Sequence, residues 1–287
     1  MTYLRDEIAS QPDTWARALE MSVSELPAPG QRVAVIGCGT SYYMAQAYAS
    51  LREAAGQGET DAFPASEFPA ARRYDRIVAL TRSGTTTEIL AALSTATVPT
   101  VAVTADPTTP VGDAADTVVA LDFADEKSVV QTRFATSALV LLRASLGESL
   151  SSLPAEAAEA LATPLAPELL AAEQVTFLGT GWTIGLANEA ALKLREAAQA
   201  WTESYYAMEY RHGPISIAAP GRAVWVFGDA PDGLAEEVRA TGAHLEQWDG
   251  DPLVSLVRAH RLAEGVAESR DLNPDQPRNL TRSVILA

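Results

Sequence analysis

The chain has 287 residues, 47% of them hydrophobic, and a formal net charge of −16. That length allows one large domain or two ordinary ones, with enough apolar material for a substantial core. The charge argues against nucleic acid, whose phosphates want a basic face, and no run of about 18 apolar residues is present to span a membrane.

The opening MTYLRDEIAS has no apolar stretch of the kind a secretory signal needs. Cys38 is the single cysteine, so no internal disulfide is possible. Both features fit a reducing cytoplasm. Lys127 and Lys193 are the only lysines, which leaves few candidates for a catalytic amine. On such an acidic chain, a phosphate site has to be built locally from backbone N–H groups, hydroxyls and a few arginines.

In chain order, residues up to Leu26 read as two short helices broken at Gln11 and Pro12. Arg32–Gly37 is a buried strand, followed by a helix with Ser41 as its expected N-cap. Strands follow at Asp75–Thr81, Thr100–Asp106 and Asp116–Asp122, with helices at Thr85–Ala96 and Thr132–Gly147. Each strand is a near-continuous apolar run, and strands alternate with helices. That pattern means a parallel sheet covered on both faces. Pro154–Glu173 reads as a helical connector. The pattern then restarts with a strand at Val175–Gly181 and a long helix at Thr183–Ala200, with the residues through Pro214 read on from it. A strand at Arg222–Asp229 and helices at Gly233–Gly242 and Asp251–Ala267 complete it.

The restart suggests an internal repeat. VIGCGTSYYMAQA and FLGTGWTIGLANEA superpose without a gap on Gly37/Gly179 and Gly39/Gly181. The competing explanation is that any strand–Gly-x-Gly–helix unit resembles any other. We read two α/β domains, residues 1–152 with the N-terminal helices and residues 153–287 with the C-terminal tail.

The loop GCGTS (Gly37–Ser41) is a poor dinucleotide fingerprint, because Tyr42 stands where the third glycine should be. It does place Thr40 and Ser41 at a helix N-terminus, which favours an anion. The next strand ends in TRSGTTTE (Thr81–Glu88), again a hydroxyl-rich turn at a helix N-terminus. In doubly wound sheets, ligands bind outside the carboxyl ends of the strands, where both turns lie. The second half keeps GTG but has the acidic GDAPDG (Gly228–Gly233), so a phosphate site is expected in the first half only. Glu189, Lys193 and Glu196 share one helix face, either as a solvated salt-bridge stripe or as chemistry. His244 and His260 read as surface or packing residues.

Together GCGTSYY, TRSGTTTE, ALKLREAAQAWTESYYAMEYRHGP and DQPRNLTRSV resemble the sugar isomerase (SIS) domain family. More closely, they resemble the isomerase half of glucosamine-6-phosphate synthase and stand-alone two-SIS phosphosugar isomerases and deaminases. The resemblance implies two tandem flavodoxin-like αβα sandwiches with parallel sheets, acting without metal or organic cofactor. It implies phosphate binding by Thr40, Ser41, Thr81, Arg82, Ser83 and Thr86, with Cys38 and Gly39 as loop backbone. Val129 and Gln131, in the loop Glu126–Arg133, are weaker candidates. It makes Glu196 the base that moves a proton between C1 and C2. Lys193 supports it beside Glu189 and is the one amine near the site. His212 becomes the ring-opening acid/base, reaching the site from the neighbouring subunit of a homodimer. The expected partners are a sugar phosphate and a second copy of the chain, with no nucleic acid and no membrane.

One position departs from the synthase. Arg282 stands where the tail lysine forms an imine, and arginine is a poor nucleophile. With no glutaminase domain in the sequence either, a full glutamine-dependent synthase is not expected. Arg282 could instead contact the substrate. The expected activity is isomerase or isomerase/deaminase action on a hexose 6-phosphate or amino-hexose 6-phosphate. Alternatives are a fructosamine-6-phosphate deglycase and a non-catalytic phosphosugar sensor.

Overall fold

A computed structural model describes residues 2–286. In chain order the elements are α1 (Tyr3–Ala9), α2 (Gln11–Leu19), β1 (Val33–Gly37), α3 (Thr40–Ala54), β2 (Thr60–Pro64), β3 (Arg76–Thr81), α4 (Thr87–Ser94), β4 (Thr100–Thr104), α5 (Val111–Ala114), β5 (Thr117–Ala120) and α6 (Arg133–Ser145). There follow α7 (Leu153–Ala162), α8 (Pro167–Leu170), β6 (Gln174–Gly179), α9 (Thr183–Ala198), β7 (Trp201–Tyr206), β8 (Arg222–Phe227), α10 (Leu234–Ala240), β9 (His244–Gln247) and α11 (Pro252–Ser269). Among the described residues, no helix is long and apolar enough to cross a membrane.

The chain forms two compact units, and each carries one sheet. The first-sheet unit comprises Asp13–Lys127, Gln131–Ser151 and the tail from Thr281 on. Its sheet has 5 strands in the order β2-β1-β3-β4-β5, all parallel. That is the flavodoxin-like order, with its switch point between β1 and β3. The central strands are sequences such as VAVIG, buried at every residue because helices cover both faces. Trp15 of α2 is fully buried and donates through Nε1 to the Thr136 hydroxyl of α6 at 2.9 Å.

The second-sheet unit comprises the chain up to Pro12, Ser128–Val130 and Ser152–Leu280. Its sheet has 4 parallel strands in the order β7-β6-β8-β9, the same winding with one strand fewer. From β9 the chain goes directly into α11, which packs on α9. Trp225 of β8 donates to the Ser255 hydroxyl of α11 at 2.9 Å, inside a cluster with Phe177 and Phe227.

The repeat is present in the backbone. A Cβ on Gly37 would lie 2.6 Å from the backbone of Ser41, and one on Gly179 would lie 2.4 Å from that of Thr183. Gly39 and Gly181 have φ of 54° and 57°. Both halves use the same pair of glycines to fold a helix start tightly against the first strand.

Three strands escape the apolar-run reading: β2, β7 and β9. All are sheet edges, with at most one buried residue each. β7 corrects the reading of one helix running on toward His212. Gln199 takes the left-handed conformation (φ 51°), its N–H closes on Arg195 O, and the chain turns out of α9 into a strand.

Candidate active site

Two turns at the carboxyl ends of β1 and β3 form a small pocket of about 70 Å³ in the first-sheet unit. Gly39 is the N-cap of α3 and Ser41 lies one residue inside the helix, which corrects the capping role expected for Ser41. The physical reason is Gly39's positive φ, which starts the helix early. The Ser41 hydroxyl lines the pocket, as does Cys38, while Thr40 is buried in the first turn beside them. Burial pushes the Cys38 thiol up to about 11, with Glu88 adding to the effect. The thiol is therefore neutral at pH 7 and does not repel an anion.

In the second turn the Thr81 hydroxyl accepts from the Gly84 N–H at 3.3 Å. The Ser83 hydroxyl accepts from the Thr85 N–H at 3.3 Å, and Thr86 is the extended N-cap of α4. Gly84 has φ 64°, and a Cβ there would lie 2.0 Å from Thr109 Oγ1. The close approach that demands glycine is thus made by the loop between β4 and α5. The tail crosses the same turn. Thr87 N–H donates to Val284 O at 3.2 Å and the Thr85 hydroxyl to Ser283 Oγ at 2.9 Å.

Arg82, only 5% exposed, is one of two arginines that line the pocket. Its Nη2 donates to the Arg282 carbonyl oxygen at 3.1 Å, and its Nη1 lies 3.6 Å from Glu126 Oε2. Glu126 is buried too, and its Oε1 accepts from the N–H groups of Thr132 at 2.5 Å and Arg133 at 2.8 Å, where α6 begins. Those donors and the Arg82 guanidinium compensate the burial of this carboxylate. The Arg282 guanidinium pairs with Asp125 and with the Glu126 carbonyl oxygen, and Gln131 completes the lining. Two guanidinium groups, free or weakly engaged hydroxyls and a helix N-terminus suit a phosphate-sized anion.

Val129 lines no part of this pocket. It belongs to the second-sheet unit, where its N–H donates to Asp275 O at 3.1 Å. In that unit the turn after β6 closes on itself. Thr183 Oγ1 accepts from Thr180 N–H at 2.8 Å and lies 3.0 Å from Phe227 O.

The stripe on α9 is a buried ion cluster, not a solvated one. Lys193 is 1% exposed, its ammonium is in contact with the Glu196 carboxylate, and it lies 3.9 Å from Glu189 Oε1. The Glu196 side chain is 20% exposed and opens onto a groove of about 410 Å³, with Arg195 and Arg278 beside it. A partly exposed carboxylate held by a buried ammonium is suitably placed for proton transfer.

His212 ends a short 3-10 turn, Glu209–His212, and is exposed. Among the described residues its side chain has no hydrogen-bond or ion-pair partner. It follows β7, so it lies at the carboxyl end of the sheet. Glu196 lies near the end of the returning helix, at the amino end. The 6 residues of β7 put roughly 20 Å between these ends. One copy of the unit therefore does not bring His212 and Glu196 together.

Glu126 and Asp125 were not singled out in the sequence, and no pairing was expected for His260. His260 is buried, which bears out the packing rather than the surface reading, and it is also bonded to Glu189, which that reading did not anticipate. Spacing carried a signal, since Leu253, Leu256, Val257 and His260 fall on one helical stripe.

The fold and the pocket define a parallel α/β protein with an arginine- and hydroxyl-lined pocket at the switch point of its first sheet. More particularly, residues 28–146 match the SIS domain family. The glutamine–fructose-6-phosphate aminotransferase (isomerizing) of Gloeobacter violaceus is 29% identical over 91% of this chain and 53% of that protein. Its counterpart from Symbiobacterium thermophilum is 30% identical over 98% of this chain and 56% of that protein. The chain thus spans about half the length of the curated relatives it matches. Among solved structures, glucosamine-6-phosphate deaminase from Thermotoga maritima superposes with a TM-score of 0.83 at 24% identity, covering 99% of this chain and 100% of that one. Tagatose-6-phosphate ketose/aldose isomerase from Escherichia coli gives 0.82 at 16% identity, covering 99% and 96%. These likenesses place the whole chain in one fold, two tandem flavodoxin-like sandwiches.

Proposed function

We propose that the chain is a phosphosugar isomerase or isomerase/deaminase acting on a hexose 6-phosphate or amino-hexose 6-phosphate. The observation that carries this reading is the buried Arg82 in a hydroxyl-lined pocket at the carboxyl ends of β1 and β3. The names of the relatives support it, since those proteins are an aminotransferase, a deaminase and an isomerase of phosphosugars.

In this reading Ser41, Thr81, Arg82, Ser83 and Thr86 hold the phosphate, with Thr40 and Gly39 shaping the turn. Gln131 and Arg282 contact the sugar or its phosphate. Glu196 takes the proton from C2 of the open-chain aldose and returns it to C1, with Lys193 holding the carboxylate in place. His212 moves the ring-opening proton in the site of a second copy, because its own Glu196 lies at the other end of the sheet.

Proton NMR of the protein with glucosamine 6-phosphate in D2O tests this. Deuterium entry at C1 or C2, with fructose 6-phosphate and ammonia formed, is the expected result. Glu196→Gln should lower turnover by about a thousandfold while leaving phosphosugar affinity unchanged. Full turnover in that variant would remove Glu196 as the base. The arginine at position 282, where an imine would require an amine, favours one second reading, a fructosamine-6-phosphate deglycase. Exchange and cleavage on a 6-phosphofructosamine, with none on glucosamine 6-phosphate, would select it. Binding with no exchange on either would select a sensor.

A further inference from the structure

His260 is a buried titratable group that the proposed reaction does not use. Its ring Nδ1 lies 3.3 Å from Gln11 Nε2 and its Nε2 lies 3.1 Å from Glu189 Oε2. The Gln11 amide nitrogen also donates to Ile8 O at 3.3 Å, which fixes the end of the amide that faces the ring as the donor. Facing a donor, Nδ1 is the acceptor, so the ring proton sits on Nε2 and points at Glu189. From Gln11 the order of contacts runs through His260, Glu189 and Lys193 to Glu196, which alone of the five opens onto the groove.

Two carboxylates in this cluster share one buried ammonium. Lys193 is in contact with Glu196 but lies 3.9 Å from Glu189, outside hydrogen-bond reach. A carboxylate as deeply buried as Glu189 needs a donor, and His260 supplies one. We propose that His260 is a positioning residue for Glu196: by donating to Glu189 it leaves the Lys193 ammonium to the Glu196 carboxylate. This rests on the reading of Glu196 as the base.

The consequence follows from competition. Without the imidazole N–H, Glu189 draws Lys193, one helical turn away, toward itself. Glu196 then loses its cation and binds its proton more tightly. Neighbouring charged groups have other engagements. Arg195 donates to Thr202 O and Oγ1, and Arg270 to Ala198 O. Arg261 donates to Thr163 O and Ala160 O, Glu264 pairs with Arg5, and the Glu7 carboxylate accepts from Ser128 N–H. Arg278 lines the groove from its exposed side.

Carboxyl 13C NMR of the full chain tests this without a substrate. The Glu196 signal is assigned with Glu196→Gln and titrated in wild type, His260→Leu and His260→Gln. His260→Leu should raise the Glu196 midpoint by about one pH unit, a tenfold tighter proton. His260→Gln, whose amide can still donate to Glu189, should restore the wild-type midpoint. One midpoint in all three folded proteins would overturn the proposal, since a merely structural role does not move it. Should His260→Leu not fold, His260→Phe, closer to the ring in shape and equally without a donor, decides; the midpoint should rise, and an unchanged value overturns the proposal. Failure of every phosphosugar to exchange protons would sink the functional reading but leave this titration standing.

Discussion

Among single residues, Arg82 and Cys38 set the electrostatics of the pocket after β1 and β3. A buried guanidinium would attract the phosphate of the proposed substrate, and a thiol kept neutral would not oppose it. The Cys38 thiol ionises near 9.0 in an unfolded chain and is pushed up to about 11 here. Between those values the unfolded chain releases a proton that the folded one keeps, so stability falls as pH rises through that window. Alkylation by iodoacetamide at pH 8 should run about a hundredfold slower than for a free thiol and accelerate toward pH 11. Rapid alkylation at pH 8 would show the thiol to be far less buried. Glu126 is the other decisive residue. Glu126→Gln removes a buried carboxylate that faces Arg82 and accepts from the Thr132 and Arg133 N–H groups, which should cost about 3 kcal/mol of stability. Added sulfate should recover more of the loss in this variant than it adds to wild type, as thermal unfolding would show.

At the scale of elements, the glycine turns explain where the pocket is. Gly84→Ala places a Cβ 2.0 Å from Thr109 Oγ1 at a φ of 64°, so the turn before α4 has to move. We expect a loss of about 3 kcal/mol or more and weaker phosphate binding, read by denaturant unfolding and calorimetry. Central strands were legible in the sequence because burial on both faces writes a continuous apolar run, as in VAVIG and RIVALT. Edge strands such as TDAFP, WTESYY and HLEQ carry no such run, since one side of each faces no neighbour. The hydroxyl turns were legible because each is a contiguous stretch. The Arg82–Glu126–Arg282 assembly was not, because it joins residues up to 200 positions apart.

At the scale of the whole molecule, the separation of His212 from Glu196 within one unit is the feature with the largest consequence. If His212 serves a second copy's site, Glu196→Gln and His212→Ala are each inactive alone but complement one another when mixed. Random pairing should restore about a quarter of wild-type activity, because half the dimers carry one intact site of two. Absence of complementation, with exchange of subunits shown by mass spectrometry, would remove His212 from a shared site.

The sequence by itself determined the class of fold, the repeat, the hydroxyl turns and the stripe Glu189–Lys193–Glu196. Each is a local pattern of period, glycine placement or helical spacing. Only the tertiary structure decided that the stripe is buried, that Arg82 is held between Glu126 and the tail, and that His260 is bonded to Glu189. Burial and pairing depend on which helix lands on which, and α11 covers α9 across 53 residues of intervening chain.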